Sequence, residues 1–301
     1  MPVDDEYDLF GAGAESSGAP VDGSDETFDW TPPEHVELMT PLDNTRAVLV
    51  TEDILTFARE RLHFEVEASQ IEFLQSEAKR GLVNCSRQWG KSTVMAIKVI
   101  YRALTRPGCL ILIAGRAERQ AKEFLSKLLE LWKLGYPDVK LPPDRFHRPS
   151  VVFPNGSRVI GLPGLEKNTR CFSAVSLLVI DEAARAPDEL YRALRPMLAV
   201  GNGDLWALST PDGKRGFFYE EWEFGGDRWK RIRVPATECA PRISAEFLAD
   251  EVAALGMARV REDYLCEFLD DSRRWFDRVL VEDAMTDEVP VFVVGGRRCF
   301  I

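Results

Sequence analysis

The stretch Leu82-Val83-Asn84-Cys85-Ser86-Arg87-Gln88-Trp89-Gly90-Lys91-Ser92-Thr93 constrains this chain more than any other. An apolar pair enters it, a run without helical periodicity follows, and Gly-Lys-Ser-Thr opens an amphipathic segment from Val94 to Leu104. The order reads strand, loop, helix. Such a loop cradles phosphates, because its backbone N–H groups wrap them and the positive end of the next helix faces them. Ser86, Arg87, Gln88, Trp89, Gly90, Lys91, Ser92 and Thr93 are therefore the candidate nucleotide contacts. Lys91 would reach the β- and γ-phosphates of a triphosphate such as ATP, and the Ser92 hydroxyl would ligate Mg²⁺. The pattern G-x-x-x-x-G-K-[ST] is incomplete. Cys85 holds the first glycine position, where a Cβ excludes conformations that glycine tolerates. The competing reading is a strand-to-helix turn with an incidental Gly-Lys-Ser, so the downstream sequence has to decide.

Downstream, Ser176-Leu177-Leu178-Val179-Ile180 reads as a buried strand that runs into Asp181-Glu182-Ala183-Ala184. Beside a phosphate loop, Asp181 would hold Mg²⁺ through its water shell. Glu182 would accept a proton from, or orient, the water attacking the γ-phosphate. Asp204 to Leu208 is the next strand, and Ser209-Thr210-Pro211 leaves its end. The Thr210 hydroxyl fits a sensor of the γ-phosphate or the water, stiffened by Pro211. Phosphoryl transfer also needs an arginine, and two are placed for it: Arg87 inside the loop, and Arg170 ahead of the Asp-Glu strand. A surface position is the alternative for Arg170.

The rest of the chain is arranged around these motifs. At 301 residues and 45% hydrophobic it can bury a large core. Residues 1–44 hold twelve acidic residues and no Lys or Arg; of the net charge of −11 they carry −12, which leaves +1 for residues 45–301. That composition predicts an acidic disordered tail over 1–44, with Phe28 and Trp30 as anchors if it binds a partner. A neutral body can still present a basic face to DNA. No apolar run approaches the roughly 18 residues of a membrane span, and no signal peptide is present, so an intracellular protein without membrane contact is expected. The six cysteines lack a C-x-x-C pair and read as small core residues.

Helical spacing predicts helices over Thr51–Phe64, over Gln70–Lys79 capped by Ser69 and ended by Gly81, over Glu118–Leu134, and over Ser244–Leu255. Gln70, just ahead of the loop, offers a donor and an acceptor to an adenine edge, or is an exposed helical glutamine. Cys109 to Ala114 is a continuous apolar run and reads as a buried parallel strand. Arg116 and Gln120 follow its end, either as ligand contacts or as solvated polar residues. Ser150 to Ile160 folds back at Asn155-Gly156 as a hairpin. These elements predict an α/β fold with a mainly parallel central sheet flanked by helices.

Taken together, these motifs resemble one family: the large terminase subunit of tailed bacteriophages, in its N-terminal packaging ATPase domain. The Ser-Arg-Gln-Trp-Gly-Lys-Ser loop, Val-Ile-Asp-Glu-Ala-Ala, Ser209-Thr210-Pro211, Gly216-Phe217-Phe218-Tyr219 and Tyr264-Leu265-Cys266-Glu267-Phe268 carry the likeness across roughly residues 50 to 285. The resemblance implies an ASCE, RecA-like P-loop NTPase core over 45–235 and a small C-terminal lid or linker subdomain over 236–285. It implies ring assembly on a portal protein, a small terminase subunit as partner, and ATP-driven translocation of double-stranded DNA into a procapsid, in the cytoplasm of the infected bacterium. By position, Gln70 is similar to an adenine-reading glutamine, Asp181 and Glu182 to the Walker B pair, Arg87 to a loop arginine, and Arg170 to a trans-acting finger. Cys171 stands where related sequences often have glycine. Relatives continue into a nuclease domain, so residues 286–301 are expected to be a tail or its truncated start, and ATPase activity without DNA cleavage is expected. Another ASCE translocase or helicase-like ATPase, and a catalytically silent assembly protein, are the rival readings.

Overall fold

Each apolar run that reads as a buried strand forms one, and period-two alternation divides its side chains between two cores. The computed structural model describes residues 50–145, 147, 149–162, 172–239 and 242–270, and the strand residues 292–294 and 297–299. The expected acidic tail, Arg170 and Cys171 lie outside these residues.

The strands are β1 (Arg80–Cys85), β2 (Leu110–Ala114), β3 (Ser150–Val152), β4 (Arg158–Gly161), β5 (Val175–Asp181), β6 (Asp204–Ser209) and β7 (Lys230–Val234). They form one sheet in the order β3-β4-β2-β5-β6-β1-β7. Every neighbouring pair is parallel except β3 with β4, the expected hairpin. In β5, Leu177 and Val179 join one core while Leu178 and Ile180 join the other. β6 divides likewise, Trp206 and Leu208 against Leu205 and Ala207. The first core is covered by α2 (Ala68–Gln75), α3 (Lys91–Thr105) and α4 (Glu118–Gly135), the second by α5 (Asp188–Leu194) and α6 (Gly216–Phe224).

Several predicted boundaries are corrected. The expected Thr51–Phe64 helix is a short turn, α1 (Ile54–Thr56), capped by the Asp53 carboxylate, which then widens into a π-turn over Phe57–Arg61. The wider turn accompanies full burial of Phe57, Ala58 and Leu62. Helix α2 starts earlier and stops sooner than expected, and Ser69 does not cap it. Instead the Gln70 Oε1 accepts the Glu67 N–H at 3.2 Å. At the other end, the Lys98 ammonium donates to the carbonyls of Phe73 (3.0 Å), Leu74 (3.0 Å) and Ser76 (2.7 Å), helping to satisfy the last turn. Gly81 does not end a helix; it lies inside β1, where a Cβ would stand 2.2 Å from the Trp206 ring.

Strand β7 was not expected at all. Beyond it, the predicted Ser244 cap is present: its Oγ accepts the Phe247 N–H at 3.1 Å and opens α7 (Ala245–Leu255). Helix α8 (Met257–Asp263) follows. Ala236, Cys239, Ile243, Val260 and Tyr264 join the same core as β1 and α3. The strand residues Phe292–Val294 and Arg297–Cys299 pair antiparallel. Among the described residues, no helix is long and apolar enough to cross a membrane.

Candidate nucleotide site

Because β1, β5 and β6 are parallel neighbours, their C-terminal ends open on one edge of the sheet, where α/β folds gather ligands. The loop after β1 is pinned at both ends. Ser86 N–H donates to Val234 at 2.9 Å and Arg87 N–H to Asp263 at 3.0 Å. Trp89 is fully buried; its indole N–H donates to Ser69 Oγ at 3.1 Å, and its carbonyl accepts Gln70 Nε2 at 3.2 Å. The left-handed positions of the loop are Gln88 (φ 64°) and Gly90 (φ 92°). Cys85 is not among them. It is a fully buried strand residue with its thiol toward the Ser209 carbonyl, so the absent glycine leaves no strain. Gly90 caps α3, whose first N–H groups lack intrahelical acceptors.

Two acidic residues meet the loop. Lys91 Nζ lies 2.7 Å from Glu182 Oε1. Ser92 Oγ donates to Asp181 Oδ2 at 3.2 Å, and the Glu182 N–H donates to Asp181 Oδ1 at 2.9 Å. Burial opposes the Lys91 charge, but Asp181 and Glu182 outweigh it and push the ammonium up to about 12. Burial raises the Asp181 carboxyl above its ordinary value, with Lys91 only partly opposing. For Glu182 burial acts the same way, yet Lys91 and Arg185 overcome it and hold the carboxyl below its ordinary value. Thr210, buried at the exit of β6, accepts a hydrogen bond from Arg185 Nη1 at 3.0 Å. Ser86, Arg87, Lys91, Ser92, Glu182 and Thr210 line one cleft, and Arg116, Gln120, Lys127 and Arg185 complete its wall. Thr93 sits in the first turn of α3, its N–H bonded to Gly90.

Two of the expected contacts are otherwise engaged. Gln70 is not an exposed glutamine: it is fully buried, and its amide bonds Glu67 and Trp89 at its two ends. It braces the loop from below. The Arg87 guanidinium lies 3.2 Å from buried Asp263, at the end of α8.

Residues 82–282 match the profile of a family described as "Terminase large subunit, T4likevirus-type, N-terminal". The chain belongs to the terminase large-subunit family. Solved structures share its fold. The large terminase ATPase domain of Thermus phage P74-26 superposes with a TM-score of 0.61 at 20% identity, over 70% of this chain and 97% of that one. The HK97 bacteriophage large terminase gives 0.60 at 12% identity, over 72% and 55%. That of the thermophilic bacteriophage D6E gives 0.58 at 14%, over 68% and 54%, and has also been solved with ADP and with ATPγS. A comparison with curated protein sequences gave no match. The sheet and helices are thus those of a terminase ATPase domain, a P-loop fold.

In this terminase chain, the sequence reading passed over Arg185, Glu262 and Asp263. Arg185 Nη1 also donates to Glu182 Oε2 at 3.1 Å, and its Nε faces Asp212 Oδ1 at 3.6 Å. A signal for Arg185 was present, since it follows the Asp-Glu pair by a single turn. Asp263 and Glu262 carried none, because their partners Arg87 and Gly213 are distant in sequence.

Proposed function

We propose that this chain binds ATP with Mg²⁺ in the cleft at the ends of β1, β5 and β6 and hydrolyses it. As a ring on a portal, it would use that turnover to drive double-stranded DNA into a procapsid. The observation that supports this reading is the convergence of Lys91, Ser92, Asp181, Glu182 and Thr210 on one sheet edge. The family, and the ADP and ATPγS complexes of the D6E relative, support it further.

Lys91 leaves Glu182 for the β- and γ-phosphate oxygens, while the loop N–H groups and the start of α3 face the phosphate chain. Glu182 Oε1, released from Lys91, orients the attacking water and accepts its proton. Ser92 Oγ and Asp181 are adjacent oxygen donors of the kind Mg²⁺ takes alongside phosphates and waters, and burial disfavours the Asp181 charge in a way that Lys91 offsets only in part, so the residues fit the metal. Bound there, Mg²⁺ would neutralise charge developing on the phosphates. Arg87, once off Asp263, and Arg170 from a neighbouring subunit add positive charge. The small terminase subunit would deliver the DNA, in the cytoplasm of the infected bacterium.

Glu182→Gln tests the reading. ATPγS should still bind, while ATP turnover falls by roughly 10²–10⁴-fold. Unaltered turnover removes Glu182 from the mechanism.

A further inference from the structure

Glu182 begins the turn Ala183–Arg185 in a left-handed conformation, φ 54° and ψ 42°. That backbone returns the Arg185 guanidinium over the carboxylate it follows. One nitrogen, Nη1, donates both to Glu182 Oε2 at 3.1 Å and to Thr210 Oγ1 at 3.0 Å, joining the exit of β5 to the exit of β6. Nε faces Asp212, and Nη2 is enclosed with no acceptor among the described residues. An arrangement that leaves the Nη2 N–H groups unmet is held for what the other nitrogens do.

We propose that Arg185 is a positioning residue that fixes Glu182 as acceptor and Thr210 as donor toward the attacking water and the γ-phosphate. This rests on the ATPase reading above. A guanidinium has only donors. Thr210 Oγ1 must therefore accept from Nη1, and its own O–H is left to donate. Glu182 Oε2 is held by the same nitrogen, so Oε1, the oxygen on Lys91, is the one released when Lys91 turns to the phosphates. One acceptor and one donor are thereby aimed before chemistry begins, which removes reorganisation from the reactive step. Already engaged by Glu182, Thr210 and Asp212, Arg185 is not a spare cation for the phosphates.

The test is ATP turnover and ATPγS binding for Arg185→Ala, Arg185→Lys, Thr210→Val and the Arg185→Ala/Thr210→Val pair. We expect Arg185→Ala to lower kcat by roughly 10- to 100-fold with the Kd for ATPγS within about threefold of the unaltered chain. Millimolar guanidinium should restore part of the Arg185→Ala rate and none of the Glu182→Gln rate. The double variant should be less impaired than the product of the two single losses. Arg185→Lys, which keeps the charge and loses the fork, should fall between and serves alone if Arg185→Ala does not fold. A kcat within about twofold of the unaltered chain in either arginine variant, or a loss of ATPγS affinity that matches the loss of kcat, overturns the proposal. An unaltered chain that binds ATPγS and never hydrolyses ATP overturns the ATPase reading itself. Turnover indifferent to Arg185 overturns only this inference.

Discussion

At position 85 a thiol occupies a place that the motif reserves for glycine, and the loop does not register the difference. The chain makes its left-handed turns later, at Gln88 and Gly90, so residue 85 stays in extended strand conformation. A side chain there contributes packing. Cys85→Gly, which restores the motif, should therefore lower unfolding stability by about 1–2 kcal/mol in urea titrations and leave the ATPγS affinity unchanged. The residues that meet at the cleft, Lys91, Ser92, Asp181 and Glu182, were legible because the two motifs that carry them are set by local spacing. Gln70 was legible only as a position. Whether an amide reads a base or braces a loop depends on what packs over it, and Trp89 reaches it from a different element.

Strands buried on both faces announce themselves as continuous apolar runs, so β2, β5 and β6 could be placed from the sequence. Lys230-Arg231-Ile232-Arg233-Val234 alternates instead, burying Ile232 and Val234 at the sheet's edge, and its three cations obscured it. Helix α2 ends where Lys98 collects three carbonyls, a stop written in another helix. Lys98→Met should cost about 2–3 kcal/mol of stability, since the Leu74 and Ser76 carbonyls lose a buried donor. The same change should raise KM for ATP, because α2 carries the Ser69 and Gln70 that hold Trp89. Burial pulls the Lys98 ammonium from 10.5 down to about 7. Between those values the unfolded chain binds the proton that the folded chain has released, so this group's contribution to stability rises with pH. Urea titrations at pH 7 and pH 9 should show that rise weakened in Lys98→Met.

At the scale of the molecule, α8 touches both sides of the cleft. Asp263 takes Arg87 from the phosphate loop, while Glu262 Oε1 accepts the Gly213 N–H at 2.7 Å, just beyond Pro211. Arg259 braces both carboxylates, at 3.2 Å and 2.7 Å. On the proposed packaging role, Glu262→Ala should leave ATP turnover within a few-fold and reduce the length of DNA packaged per ATP consumed, measured with portal-bearing procapsids. These contacts were illegible because they join segments far apart in sequence. The Lys91–Glu182 contact has a further consequence. On the proposed ATP reading, it makes the carboxylate a competitor carried in the same chain, contending with the nucleotide for one ammonium. Measured nucleotide affinity is then the difference between two ion pairs, and salt, which weakens both, should move it less than the charge of a triphosphate alone would lead one to expect.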